Sequence, residues 1–358
     1  MGIYINGIGV AGGFGSGVED MLASLEKGAS PLKAQGGDNG HAYLAETSKL
    51  EAFVPKKSLR RIDHFSQMAI LGACLAAQDA GSPSLGTGRT GLIVCSGYGA
   101  SQTTFSFLDS VINDGDACAS PTLFSNSVHN SAAGHISILL KLGGPCLTVS
   151  QFEMSVHSAL LTAQQWLHEG RVDQVLFGAV DEYCDVLGYC WRRFFGEDDI
   201  GIMTPLSQER QSAMPGEGSA FFLLSKDKRE KSRYGAVVDV RTGRLEDKGI
   251  NFSGDAIYFL GADGHKGCDR LYTEMIPRGI EAACYSPLYG SLPIGPAFDM
   301  AIAALSIRER RIFASPESVA DQEGLRIIRN SSVMTPESIA CLKLAKEDEF
   351  GLITIAHG

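Results

Sequence analysis

Glu153 is the residue whose type and position most directly suggest chemistry. It lies in the segment TVSQFEMS (148–155), between a predicted strand at 146–150 and a predicted helix from Ser155 to about His168. The amino end of a helix favours negative charge, so a sharp strand-to-helix turn is a place where a nucleophile can be activated. A carboxylate there should be ionised. In one interpretation it is held by backbone N–H groups at the helix start, and in the other it mimics a bound intermediate or pairs with a residue of a partner protein.

Composition limits the kind of protein and its partners. The chain has 358 residues, of which 44% are hydrophobic and 20% are charged, as in an ordinary globular protein. No apolar run approaches the roughly 20 residues that span a bilayer, and the first residues are typical of a strand and a glycine turn, not of a signal peptide. The net charge of −10 argues against nucleic acid or an anionic membrane as partner. Nine cysteines without CxxC pairs or Cys/His clusters indicate neither a metal site nor a disulfide framework, and they suit the cytoplasm.

Strands and helices alternate along the chain, which predicts an α/β fold with a parallel sheet covered by helices on both faces. The predicted strands are Ile3–Val10, Gly91–Ser96, Cys146–Ser150, Gln174–Val180, Ser219–Ser225, Ala236–Arg241, Ala256–Leu260, Leu325–Ile328 and Leu352–Ile355. The predicted helices are Val18–Lys27, Phe65–Asp79, Ser101–Asn113, Ser131–Lys141, Ser155–His168, Cys268–Met275 and Phe298–Arg308. A charged linker, KDKREKSRYG (226–235), separates two similar halves, 1–225 and 236–358.

Five segments, in this order and spacing, resemble those of β-ketoacyl synthases of the thiolase fold. They are INGIGVAGGFGSGVEDMLASLEKGASP (5–31), RRIDHFSQMAILGACLAAQDAG (60–81), HNSAAGHISILLKLGGPCLTVS (129–150), GRVDQVLFGAVDEY (170–183) and RQSAMPGEGSAFFLLSK (210–226). The resemblance covers nearly the whole chain. It implies a thiolase-like five-layered α-β-α-β-α fold built from the two halves, the second of them shortened.

The resemblance also implies that the catalytic residues of the family are missing here. Aligned on the family's motifs, Glu153 stands at the nucleophilic cysteine and Gly261 at the first catalytic histidine, while Ser286 stands at the lysine and Ser291 at the second histidine. Decarboxylative condensation needs a thiolate to hold the acyl chain and imidazoles to stabilise the developing enolate. Four losses together therefore indicate a non-catalytic chain. Met334 stands near the gatekeeper phenylalanine of the family's missing glycine-rich loop.

Catalytically silent members of this family are chain length factors. The resemblance therefore implies a heterodimer with an active β-ketoacyl-acyl carrier protein synthase, whose acyl tunnel this chain would shape. The acyl carrier protein would be reached through that partner, and no cofactor is implied. A helix that begins in GYGASQTTFSFLD (97–109) would project into the partner's tunnel, with gating positions at Gly99, Gln102 and Ser106 on one helix face. Glycine and serine leave room for a long acyl chain.

Size and short loops, not a diagnostic motif, suggest the subfamily. The compact second half and its shortened loops are most similar to the chain length factor of aryl polyene biosynthesis in Gram-negative bacteria. This predicts a long conjugated polyene chain as the product of the pair.

Two other hypotheses stay open. The chain could be an independent decarboxylase or hydrolase that uses Glu153 or Cys268, or a homodimeric acyl-binding scaffold. The motifs argue against an enzyme, because they place no histidine or lysine in register beside either residue. His265, four residues after Gly261, is expected to miss a site that tolerates a displacement of only about 1 Å. The motifs do not distinguish the chain length factor from the scaffold.

Overall fold

A computed structural model describes residues 2–30, 33–34, 41–82, 85, 89–195, 201–230, 232–247 and 250–358. Its strands are β1 (Ile3–Gly12), β2 (Gly15–Ser16), β3 (Lys33–Ala34), β4 (His41–Ala42), β5 (Thr90–Cys95), β6 (Cys146–Val149), β7 (Gln174–Asp181), β8 (Gly218–Ser225), β9 (Ala236–Arg244), β10 (Ala256–Leu260), β11 (Glu281–Ala283), β12 (Arg311–Ile312), β13 (Arg326–Ile327), β14 (Ser332–Val333), β15 (Ser338–Ala345) and β16 (Glu349–Ala356). Its helices are α1 (Val18–Lys27), α2 (Lys56–Leu59), α3 (His64–Asp79), α4 (Ser101–Asp114), α5 (Pro121–Ser127), α6 (Ser131–Leu139), α7 (Ser155–His168), α8 (Asp185–Phe195), α9 (Lys266–Met275) and α10 (Gly295–Glu309).

The two halves of the main sheet repeat one strand order. The first half runs β6-β5-β7-β8-β1 and the second runs β11-β10-β15-β16-β9. In each half the first three strands of this order are parallel to one another. The fourth strand, β8 or β16, pairs antiparallel with both of its neighbours. β1 and β9 join the halves through the pairs Ile3–Val237 and Tyr4–Ala236. The assignment of 1–225 and 236–358 as two domains stays a prediction, and residue 231 of the linker lies outside the described residues.

Helices cover the sheet halves in layers. α3 packs on the outer face of the first half, where Gly9 permits close contact because a Cβ there would lie 2.1 Å from the carbonyl oxygen of Gly72. α7 and α10 lie between the halves, and α9 packs on the outer face of the second half. α10 is buried at every residue from Gly295 to Ile307, as a helix with sheet on both sides must be. This is the five-layered arrangement that the resemblance implies.

Two elements that carry functional-site residues are absent from the predicted set. α8 follows the β7 strand, and β15 pairs with β10 and β16 in the centre of the second half. The final predicted strands, 325–328 and 352–355, leave β15 between them. In the part of the chain that the structure describes, no helix is long and apolar enough to cross a bilayer.

Candidate functional site

Glu153 lies in a tight turn at the amino end of α7. The turn is a 3-10 helix, Phe152–Met154, and Phe152 adopts a left-handed backbone conformation with φ of 46°. A bulky residue keeps this conformation only where its surroundings enforce it. Ser155 helps to do so, because its Oγ accepts the Gln151 N–H at 2.8 Å and donates to the Phe152 carbonyl oxygen at 2.7 Å. The turn holds Glu153 beside β15.

Lys343 on β15 is the cation that pairs with Glu153. Its Nζ lies 3.3 Å from Glu153 Oε1 and 3.0 Å from Asp263 Oδ2, and it donates to the Gly261 carbonyl oxygen at 3.1 Å. Burial alone would lower the pKa of Lys343, but Asp263 and then Glu153 hold it well above its usual range. The buried ammonium is therefore charged. Glu153 is thus ion-paired with a buried lysine.

Lys343 also fills the space beside Gly261. A Cβ at position 261 would lie 3.0 Å from Lys343 Cδ and 3.5 Å from the Tyr272 hydroxyl. A larger side chain at Gly261 would displace the lysine. The absence of a side chain at Gly261 and the presence of Lys343 are therefore one structural feature. Lys343 lies in none of the motifs, so it is a lysine beside Glu153 that the motifs did not indicate.

A cavity of about 640 Å³ lies next to this ion cluster. Its polar lining includes Glu153, Asp263, His265, Ser291, Lys346 and Glu349. Its apolar lining includes Tyr98, Phe152, Leu187, Trp191, Phe194, Phe195, Leu292 and Pro293. α8 supplies three of the aromatic side chains, and the size of the cavity suits a small organic molecule.

The remaining predicted positions divide between the cavity wall and the interior. Ser291 lines the cavity, and its Oγ donates to Asp263 Oδ2 at 2.8 Å. Ser286 is buried, and its Oγ donates to the Ala262 carbonyl oxygen at 2.6 Å. Met334 packs against the core between the sheet halves. Neither Ser286 nor Met334 is among the residues that line this cavity.

His265 reaches the cavity, contrary to the expectation that it would miss the site. Its ring centre lies 4.9 Å from that of Trp191 and 4.7 Å from that of Phe195. Gln211 Oε1 accepts the Lys266 N–H, which leaves Gln211 Nε2 to donate to His265 Nδ1 at 2.7 Å. Burial lowers the pKa of His265, so the ring is neutral at pH 7 and carries its proton on Nε2.

Cys268 lines the same cavity, but its thiol is a poor nucleophile. Burial raises the pKa of Cys268 to about 12, although the Lys343 ammonium acts in the opposite direction. The thiolate is the reactive form of cysteine, and almost none is present at neutral pH. The raised pKa argues against Cys268 as a nucleophile.

The predicted gate residues do not all lie on one helix face. Gly99 is buried in the turn before α4, with a left-handed φ of 68°, and a Cβ there would lie 2.8 Å from His129 Nε2. The prediction that it shares a face with the other two is wrong, because the chain must turn at Gly99 before the helix can begin. Gln102 and Ser106 do share a face of α4, since Gln102 Nε2 donates to Ser106 Oγ at 3.3 Å.

The buried His157 on α7 should make the protein sensitive to acid. Its side chain has no exposed surface, and neither nitrogen has a hydrogen-bond partner among the described residues. Burial and then Lys343 lower its pKa to about 3. In the unfolded chain His157 takes up a proton below about pH 6.5, whereas in the folded chain it stays neutral down to its lowered pKa. The free energy of unfolding is therefore at its full value above pH 6.5 and decreases as the pH falls below that value.

The free energy of unfolding should change less steeply with pH in His157→Met. Between pH 6 and 4 we expect the slope against pH to be smaller by roughly 1.4 kcal/mol per pH unit. Urea unfolding at a series of pH values measures that slope. His357→Met, at an exposed histidine, is the control. Equal slopes for the wild type and His157→Met would contradict the assignment of acid sensitivity to His157.

Several known proteins are similar to this chain in sequence. The family model of the β-ketoacyl synthase N-terminal domain matches residues 14–230. Nodulation protein E from Rhizobium leguminosarum bv. trifolii is 24% identical over 266 residues, which cover 71% of this chain and 64% of that protein. The 3-oxoacyl-(acyl-carrier-protein) synthase 2 from Vibrio cholerae serotype O1 is 23% identical over 297 residues, which cover 78% of this chain and 70% of that protein. The match thus spans less than two thirds of the length of nodulation protein E.

Solved structures show the same fold. The ishigamide ketosynthase/chain length factor matches with a TM-score of 0.82 and 17% identity, covering 100% of this chain and 99% of that chain. A ketosynthase in complex with its chain length factor from Xenorhabdus doucetiae matches with a TM-score of 0.81 and 16% identity, covering 100% of this chain and 98% of that chain. These likenesses confirm the thiolase-like α/β fold.

Proposed function

The chain belongs to the β-ketoacyl synthase family, and we propose that it is a non-catalytic chain length factor that pairs with an active β-ketoacyl-acyl carrier protein synthase. The observation that carries the proposal is the ion cluster of Glu153, Lys343 and Asp263 where a condensing enzyme needs a thiolate and imidazoles. An ion-paired carboxylate cannot form a comparable thioester. No imidazole fits at Gly261 while Lys343 occupies the adjacent space.

An exposed apolar region of the first half supports a partner subunit. β6 is the last strand of the main sheet, so its outer edge has no paired strand among the described residues. α6 packs against β6, α5 against α6 and α4 against α5, and these helices and the segments beside them expose large apolar side chains, which are Leu108, Ile112, Phe124, Val128, Ile138 and Phe152. Exposed apolar groups next to an open strand edge are typical of a buried subunit interface. A synthase of the same fold would cover them.

The substrate follows from this role. The partner would carry the acyl chain and receive the acyl carrier protein, and α4 of this chain would help to close the end of the partner's tunnel through Gln102 and Ser106. The compact second half favours a long polyene chain of the aryl polyene type. All nine cysteines are free, which suits action in the cytoplasm.

Co-expression with an active synthase from the same genome tests the proposal. We expect a one-to-one complex in size-exclusion chromatography, and no condensation by this chain alone. Ile112→Asp should weaken the complex, because it places a charge on the exposed apolar region. Val333→Asp is the matched control, since Val333 and Ile112 have exposed fractions of 75% and 76% but Val333 lies on β14 in the second half.

The other hypotheses predict different results. A stable homodimer that binds acyl chains and ignores the synthase would support the scaffold. Decarboxylation or hydrolysis by this chain alone, lost in Glu153→Ala, would support an independent enzyme. Either result would overturn the chain length factor.

A further inference from the structure

The cavity beside Glu153 has an excess of negative charge at its polar end. Glu153 and Asp263 each carry a negative charge, and Lys343 supplies a single positive charge to both. His265 is neutral because burial lowers its pKa. Lys346 and Glu349 add one charge of each sign to the lining, so the sum stays negative. A ligand with a carboxylate would therefore meet a repulsive wall, whereas a cation would complete the charge balance.

Each of the two carboxylates also has one oxygen without a hydrogen-bond partner in the described part of the chain. Asp263 Oδ2 accepts from Lys343 and Ser291, but Asp263 Oδ1 is buried and has no hydrogen-bond partner among the described residues. The Asp263 side chain is 7% exposed and lines the cavity, so this oxygen is costly to leave unpaired. Glu153 Oε1 faces Lys343, and in the described part of the chain no hydrogen bond to Oε2 is found. Glu153, whose side chain is 15% exposed and lines the cavity, can therefore accept from an ammonium group, and the buried charge of Asp263 adds to the attraction.

The rest of the lining suits an apolar body attached to that cation. Tyr98 and Phe152 pack edge to face with ring centres 5.6 Å apart, and Trp191 and Phe195 form another aromatic wall next to His265. Aromatic faces attract cations, and their area favours an apolar or aromatic group. The volume of about 640 Å³ accommodates a ligand of that size.

We propose that this cavity binds a small primary amine, with its ammonium group on the free oxygen of Glu153, near the buried charge of Asp263, and its apolar body against the aromatic side chains. The site belongs to this chain alone and does not depend on the tunnel of a partner. It gives the position of the missing nucleophile a binding role in place of a catalytic one.

Calorimetry with three probes of similar size tests the amine site. The probes are 3-phenylpropylamine, 3-phenylpropanol and 3-phenylpropionate, and the protein is the full chain, together with its synthase where the two are purified as a complex. We expect the amine to bind about tenfold more tightly than the alcohol, the value of one charge-assisted hydrogen bond, and the carboxylate to bind most weakly. Equal or tighter binding of the alcohol or the carboxylate would overturn the proposal, as would no binding of the amine.

Variants of this chain locate the binding. Glu153→Gln removes one charge but keeps the shape, and it should weaken amine binding about tenfold while leaving the alcohol unaffected. Glu19→Gln makes the same charge change at an exposed side chain remote from the cavity and should have no effect. An unchanged amine affinity in Glu153→Gln, with the same unfolding midpoint as the wild type, would place the amine elsewhere and reject the site.

Discussion

Lys343→Met is expected to destabilise the folded chain by about 3–5 kcal/mol, the usual cost of removing one partner from a buried ion pair. Methionine keeps most of the apolar contacts of the lysine stem, so the loss is electrostatic. It leaves Glu153 and Asp263, whose side chains are 15% and 7% exposed, without a cation. The carbonyl oxygen of Gly261 also loses its donor. Urea unfolding at pH 7 measures the change.

Two further variants separate the loss of charge from the loss of packing. Lys346→Met removes an exposed lysine three residues away and should change the free energy of unfolding by no more than about 0.5 kcal/mol. Adding Glu153→Gln to Lys343→Met should restore part of the lost stability, since one uncompensated carboxylate is then absent. A Lys343→Met variant as stable as the wild type would show that the ion cluster does not stabilise the fold, and an unimproved double variant would show that packing dominates.

The sequence predicts the scaffold well, because its signals are local or periodic. The bounds of α1 are predicted to the residue, and α3 begins one residue earlier than predicted, at the residue that follows the Asp63 cap. The repeated alternation of strand and helix likewise leads to the two sheet halves. These features depend on neighbours along the chain, which a single sequence contains.

The site is only partly predictable, because its central contact joins distant segments. Motif spacing identifies Glu153 and Gly261 as departures from the family's pattern, but β15 lies in no motif and was not predicted as a strand. The available signal was one lysine in the otherwise apolar run SIACLKLA (338–345), since a lone charge in a buried strand requires a partner. Even so, the identity of the partners, Glu153 and Asp263, follows only from the folded structure.

At Gly99 the sequence suggests a role, as a gate residue on a helix, that the backbone conformation does not permit. A missing side chain can indicate free space or a positive φ, and the sequence does not separate the two. At Gly99 the structure shows a positive φ and a close contact with His129, so a substitution there would strain the turn and obscure any effect on a tunnel. A test of the gate therefore belongs on α4 itself.

Ser106→Phe should shorten the acyl chain made by the heterodimer. Ser106 is partly exposed on α4 of this chain, where a bulkier side chain can extend outward without entering the core. In the proposed complex that face closes the partner's tunnel, and a filled space does not admit further methylene groups. Leu108→Phe lies about 200° around the same helix, in the apolar region proposed to meet the partner. It keeps an apolar side chain and adds a ring on a different face, so it is the matched control for bulk at the interface.

Mass spectrometry of the carrier-bound products gives the result. We expect the main product of the Ser106→Phe complex to contain fewer two-carbon units at a similar initial rate, because the partner's catalytic residues are untouched. An unchanged product, with the complex still one-to-one, would exclude Ser106 from the gate, whereas equal shortening by Leu108→Phe would attribute the effect to the whole helix. A shorter product from Ser106→Phe alone would show that this chain controls length through one face of α4, independently of the amine site at Glu153.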